Sequence, residues 1–325
     1  MSTTIRKPTA AVSTALVLVL AAAGAARAAD ATPQPATQFL AADGTPLAEG
    51  WRAVPNVPTF VLIHGFQGRG TDEPYLRQAA AVAKRFPAAQ VVIADWHLPA
   101  SGAPAGSLPT VGAWAYVPLL DGIGRLATEY GVAVGATRRV ARDIADWMEI
   151  HRVDSARTVL CGHSLGAHVA GFVGREISSR AGRPLHAILA TDPAGPRFAG
   201  RGPDARLADT DALHVIVVHT TKLLGYHGPL GTVDVYVDWP ESHAPDLITR
   251  HAYARKLVTQ SFLSRDMVCS AGRPFGVNAL LPNRQTDPAR MGRVATFTVP
   301  LPAPEPLETS LRVGGATPPG SYGVN

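Results

Sequence analysis

The chain has 325 residues, 46% of them hydrophobic and 17% charged, which is enough apolar material for a sizeable core, and no composition break divides it. Its formal charge of +5 is concentrated at the N-terminus: setting aside Arg6, Lys7 and Arg27 leaves 27 basic residues against 25 acidic ones. So small a surplus, with no basic run interleaved with aromatics, excludes a nucleic-acid-binding surface as the basis of function.

The first 28 residues read as an export signal. Arg6 and Lys7 supply a positive start, Ala15 to Ala26 is an almost unbroken small and apolar run, and Ala26-Arg27-Ala28 is a small-x-small cleavage pattern. The twelve residues of that run would rise about 18 Å as a helix, short of a bilayer core of about 30 Å. A cleaved signal peptide is therefore expected over an uncleaved anchor, and with it secretion to the periplasm or medium. Residues 29–300 are expected to form one domain, followed by a disordered Pro/Gly-rich tail at 301–325.

Short apolar, β-branched runs then alternate with helical patterns. The strand-like runs are Thr59 to His64, Gln90 to Ala94, Arg157 to Cys161, Ala187 to Thr191 and Ala212 to Thr220. They are continuous rather than alternating, as suits parallel strands buried on both faces. Pro99 to Leu120, rich in Gly, Ala and Pro, predicts a surface loop. Val134 to His151 carries Val134, Val140, Ile144 and Trp147 at helical spacing, and Gly162 to Ile177 predicts a second helix. Strand–helix alternation of this kind implies an α/β fold with a mostly parallel sheet. Cys161 reads as a small core residue and Cys269 lies in a polar stretch, so two unpaired thiols are expected rather than a disulfide.

Gly162-His163-Ser164-Leu165-Gly166 is a G-x-S-x-G pentapeptide with a strand-like run before it and helix formers after it. A serine on so sharp a turn needs neighbours without bulk, which Gly162 and Gly166 provide, and the new helix aims its positive end at a developing oxyanion. Serine alone is a poor nucleophile, so a base and an orienting acid must follow, in the order Ser, Asp or Glu, His. Asp192 ends the run Ala187–Thr191 and precedes Pro193-Ala194-Gly195-Pro196; it reads equally as that acid or as a turn residue before proline. Of the five histidines beyond it, His214 and His219 lie within a strand run and His227 in a Gly/Pro turn. That leaves His243 and His251, with spacing favouring His251 at the mouth of a helix through Leu257 and Phe262.

The stretch Gly162 to Gly171 resembles the nucleophile segment of the pancreatic lipase family, within the α/β-hydrolase superfamily. The resemblance runs in order through Leu62 to Phe66, Asp95-Trp96, Asp192 to Pro196, Val217 to Thr220, Pro229 to Gly231, Asp234 to Tyr236 and the His251 segment. It implies an α/β-hydrolase fold, a Ser164–Asp192–His251 triad acting on carboxylic esters, and an oxyanion hole from the backbone N–H groups of Phe66 and Leu165. It settles the base on His251 and assigns structural roles to His64, His163 and His168. No cofactor is implied, and the substrate expected is a lipid or small ester, with at most transient contact with a lipid interface.

Departures from the family narrow the expectation. His251 follows Asp234 by only 17 positions and no residue between them is cysteine, so a disulfide-closed lid is not expected and a short-lid, phospholipase A1-like form is implied. Asp238 to Ser242 would be the remnant of the cap, with Trp239 either a membrane-grazing residue or an ordinary turn tryptophan. Ala208 stands where the family's calcium loop, near Arg206 to Asp211, expects an acidic ligand, so no metal is expected. The stretch after Phe262 is too short and Pro-rich for the family's C-terminal β-sandwich, so no colipase-like partner is expected. Two other classes stay open: a non-catalytic lipid-binding relative, and a serine hydrolase of thioester, amide or polyester bonds.

Overall fold

Runs such as Thr59-Phe60-Val61-Leu62-Ile63 have no polar face to turn to water, and in the computed structural model they become strands buried along their whole length. The structure describes residues 36–101, 119–238 and 246–263, and the backbone of five short strands beyond them. Residues 1–35, which include the expected export signal, Trp239, His243, Cys269 and all of 301–325 except two strand backbones lie outside the described residues.

Seven strands form the sheet around the site: β1 (Gln38–Ala41), β2 (Thr59–Ile63), β3 (Gln90–Asp95), β4 (Thr158–His163), β5 (Ala187–Thr191), β6 (His214–His219) and β7 (Val233–Asp238). Their order is β1-β3-β2-β4-β5-β6-β7, parallel throughout except for β1, which pairs antiparallel with β3 at the edge. Val294–Thr298 runs parallel to β7, and the strands Leu311–Gly315 and Tyr322–Val324 follow it. The helices are α1 (Glu73–Arg85), α2 (His97–Ser101), α3 (Leu119–Ile150), α4 (Leu165–Ala181) and α5 (Leu247–Leu263). This is the α/β-hydrolase arrangement that the sequence predicts.

Alternation along each strand divides the core between the two faces. Val61, Ile63, Leu160, Ile188, Val215 and Val217 pack with α3 and α4, through Val140, Ile144, Val169 and Val173. Phe60, Leu62, Val159, Leu189, Ile216 and Val218 pack on the other side with Val82 of α1 and Leu257, Val258 and Phe262 of α5. Cys161 belongs to this second cluster as a buried free thiol, and burial pushes it up to about 12, so it is an inert core residue.

Two expectations are corrected. The helix predicted from Val134 begins at Leu119, because Ala127, Tyr130 and Ala133 continue the buried stripe toward the N-terminus while Gly124 and Gly135 face open space and obstruct nothing. The loop predicted over Pro99–Leu120 is accordingly helical at both ends, in α2 and in the first turn of α3, and its middle lies outside the described residues.

Candidate active site

Parallel register brings distant residues to one rim. Ile63 is level with Gly162 and His163 with Thr191, so the residues just past β2, β4 and β5 are neighbours at the sheet's carboxyl edge. Ser164 follows β4 with φ 54° and ψ −120°, a left-handed turn that a non-glycine residue holds only under strain, and α4 starts at the next residue. The Ser164 N–H donates to Thr191 O at 3.0 Å and the Ala194 N–H to Ser164 O at 3.2 Å, which ties the turn to the Asp192 loop. A Cβ on Gly162 would lie 2.4 Å from Gly166 O, and one on Gly166 would lie 2.4 Å from His64 O, so both glycines are required by close backbone approach.

Asp192 is fully buried and held by four donors. Its Oδ1 accepts from the Thr220 and Thr221 N–H groups at 2.8 and 3.1 Å, and its Oδ2 from Thr221 Oγ1 at 2.7 Å and His251 Nδ1 at 2.6 Å. A carboxylate can only accept, so the imidazole proton sits on Nδ1 and Nε2 is left with a free lone pair. Sequence reasoning missed Thr221, whose hydroxyl also accepts from the Gly225 N–H at 2.7 Å; no spacing signal relates this loop to Asp192. His251 lies in the second turn of α5 rather than at its mouth, because Asp246 caps the helix earlier by accepting from the Thr249 N–H at 3.0 Å and Thr249 Oγ1 at 2.7 Å.

Ser164 and His251 line one cavity of about 600 Å³, together with Phe66, Leu126, Tyr130, Pro196, Leu224 and Ile248. Among the described residues Ser164 Oγ makes no hydrogen bond to the imidazole; such contacts tighten once substrate is in place. Neither the Phe66 nor the Leu165 N–H donates to a protein acceptor among the described residues, so both amides beside the serine are free to donate. The Phe66 loop approaches closely: a Cβ on Gly65 would lie 2.9 Å from Ser164 Cβ.

The three histidines expected to be structural are built into the rim. His64 is fully buried, stacked on Trp96 at 5.4 Å, with Nδ1 2.8 Å from Gly65 O and Nε2 3.0 Å from Asp95 Oδ1. His163, on Thr191 O at 3.0 Å, is held well below the usual imidazole range by burial and then by His251 and Arg255. His168 donates from Nε2 to Ala194 O at 2.8 Å and accepts the Leu207 N–H at Nδ1 at 3.0 Å, so it bridges α4 to both neighbouring loops as a neutral ring.

Burial lowers His168 to about 3, and this makes an acid-sensitivity prediction. Its folded value lies below its unfolded value of about 6.5, so its stabilisation is complete above that pH and is lost as pH falls toward the folded value. Stability should fall by about 1.4 kcal/mol per pH unit for each such histidine below pH 6.5. Asp95, held well below the usual carboxylate range by His64 and His97 despite its burial, acts in the same direction only below about 4. Urea melts between pH 6.5 and 4.5 should therefore show a shallower slope for His168→Gln than for the parent chain; equal slopes would contradict the assignment.

The segment resembling a calcium loop is filled by a side chain. Arg175 of α4 donates from Nε to Asp211 Oδ1 at 2.6 Å, from Nη1 to Asp204 O at 2.5 Å and from Nη2 to Arg206 O and to Asp211 Oδ2. Burial raises the Asp211 carboxyl, and Arg175 opposes that shift. The oxygens a hard cation would need are thus turned onto a guanidinium, and Ala208 contributes an N–H donor to Asp211 Oδ2 at 2.8 Å rather than an oxygen. These residues do not fit calcium.

Comparison with known proteins adds the following. Residues 114–250 match the family model Lipase, a span that includes Ser164 and Asp192 and ends one residue before His251. Phospholipase A1 of Polybia paulista is 34% identical over 186 residues, covering 56% of this chain and 52% of that protein. Phospholipase A1 2 of Polistes dominula is 32% identical over 221 residues, covering 66% of this chain and 64% of that protein. The chain thus spans between about half and two thirds of the length of these curated relatives. Among solved structures, esterase PE8 is 21% identical with a TM-score of 0.33, covering 57% of this chain and 74% of its own. A phospholipase/carboxylesterase from Dyadobacter fermentans is 12% identical with a TM-score of 0.38, covering 73% of this chain and 100% of its own.

Proposed function

We propose that this chain, a lipase-family protein by its match over residues 114–250, is an exported serine hydrolase that cleaves carboxylic esters of lipids through an acyl-enzyme intermediate. The observation that carries the reading is the 2.6 Å contact between His251 Nδ1 and Asp192 Oδ2, with that imidazole sharing a cavity with Ser164 on its strained turn. In this mechanism His251 Nε2 takes the Ser164 proton as Oγ attacks the ester carbonyl, and returns it to the leaving alcohol. Asp192 holds the imidazole tautomer and stabilises its charged form. The Phe66 and Leu165 N–H groups take the oxyanion, each contributing about 3 to 4 kcal/mol. Water then repeats the sequence on the acyl-enzyme.

The cavity walls suit acyl chains. Leu126, Leu224 and Ile248 are apolar, and Ile248 is 58% exposed at the mouth, a position from which it would touch a lipid surface. The relatives named phospholipase A1 support a lipid substrate, and the leader at residues 1–28 supports export. The brief interval between β7 and α5 leaves little material to cover Ser164. Hydrolysis of tributyrin should therefore rise smoothly through the solubility limit of the ester. A sharp rate increase at that limit would show that a cover must open and would refute the short-lid reading.

A further inference from the structure

Arg255 lies one helical turn beyond His251 on α5 and lines the same cavity, yet only 8% of it is exposed. Its guanidinium sits 4.6 Å over the ring of Tyr75, and none of the described carboxylates is paired with it. The two acids that share the cavity are engaged elsewhere: Asp72 Oδ2 accepts from the Arg69 N–H at 2.8 Å, and Glu73 Oε1 accepts from Arg77 Nε at 2.6 Å. A buried cation with no anionic partner is costly, and Arg is the side chain whose planar fork takes a phosphate through paired donors. The aromatic face of Tyr75 offsets part of that cost and leaves the guanidinium edges open to the cavity.

We infer that Arg255 is the phosphate-binding residue of this cleft, selecting esters that carry a phosphate group a few bonds from the cleaved carbonyl. The inference rests on the hydrolase reading and specifies its substrate class. Spacing supports it: residues four apart on a helix share one face, so Arg255 and the general base His251 present to the same cavity. A glycerol backbone carries an ester and a phosphate within a few bonds of each other, so one molecule can meet both residues. A fatty carboxylate would offer an anion but no cleavable ester. Tyr75 adds a mechanical link, because its hydroxyl accepts from the Gly65 N–H at 3.1 Å, and the next residue is the proposed oxyanion donor Phe66. An anion seated on Arg255 would thus firm the ring that props the oxyanion loop.

The test compares dihexanoyl phosphatidylglycerol with dihexanoyl glycerol, which share acyl chains and differ in the phosphate headgroup. The ratio of kcat/KM for the first to that for the second should fall at least tenfold in Arg255→Gln and only partly in Arg255→Lys. A ratio that Arg255→Gln leaves intact overturns the inference. A second measurement needs no variant: sn-glycerol 3-phosphate should slow fluorophosphonate labelling of the parent chain, and glycerol at equal concentration should not. Equal effects of the two again overturn it. The two readings fail differently. A chain that neither labels nor hydrolyses either ester removes the hydrolase reading, whereas one that labels and cleaves both without a phosphate effect removes only the role of Arg255.

Discussion

Ser164→Ala should lower ester hydrolysis by about 10⁶-fold and abolish fluorophosphonate labelling while leaving the fold intact. The size follows from the cooperative action of nucleophile and base: without Oγ, His251 has no proton to take, and only the oxyanion donors and binding contacts still act. The fold should survive because the Ser164 side chain makes no hydrogen bond among the described residues, while the backbone bonds Ser164 N–H to Thr191 O and Ala194 N–H to Ser164 O do not depend on it. Alanine inherits the same left-handed backbone at φ 54° and so carries the same strain. The measurement is p-nitrophenyl ester turnover alongside a thermal melt. A variant that still labels would remove Ser164 from the chemistry, and one that loses activity together with its melting transition would show only that the turn is structural.

The second large effect is expected at the acid. Asp192→Asn should reduce kcat by about 10⁴-fold. An amide has one acceptor oxygen, and the Thr220 and Thr221 N–H groups, at 2.8 and 3.1 Å, already claim the position of Oδ1. The amide nitrogen would then stand where Oδ2 accepts from His251, 2.6 Å away, so Nδ1 would have to accept and the ring proton would move to Nε2. An imidazole protonated at Nε2 cannot take the serine proton. Thr221 Oγ1, by contrast, can rotate to accept from the amide, so the loop should stay in place. The signature is a loss in kcat with little change in melting temperature. A loss of less than about tenfold would show that Asp192 serves only as a loop anchor.

Much of this arrangement was legible in the chain itself. Continuous apolar runs marked β2 to β6 to within about two residues, because a strand buried on both faces has no polar side to disguise it. The G-x-S-x-G pentapeptide stood out because its glycines answer a steric demand that few other sequences meet, and the contacts at Gly162 and Gly166 show that demand directly. Asp192 was visible only as one of two equal readings, and His251 as one of two histidines. His243 lies outside the described residues, so the structure places one member of that pair.

Sequence by itself determined that the central segments β2 to β6 would be strands, where the chain would turn sharply on a serine, and that a mostly parallel sheet flanked by helices would result, since local sterics and hydrophobic period act within a few residues; it did not single out the edge strand β1. Tertiary structure decided what meets what. The four donors around Asp192 come from a loop nearly thirty residues later and from α5, the half-buried Arg175 of α4 fills the oxygen set of a loop resembling a metal site, and Arg255 reaches the cleft with no counter-charge among the described residues. None of these pairings leaves a periodic trace, because each is set by strand register and helix placement across the whole sheet rather than by neighbours along the chain.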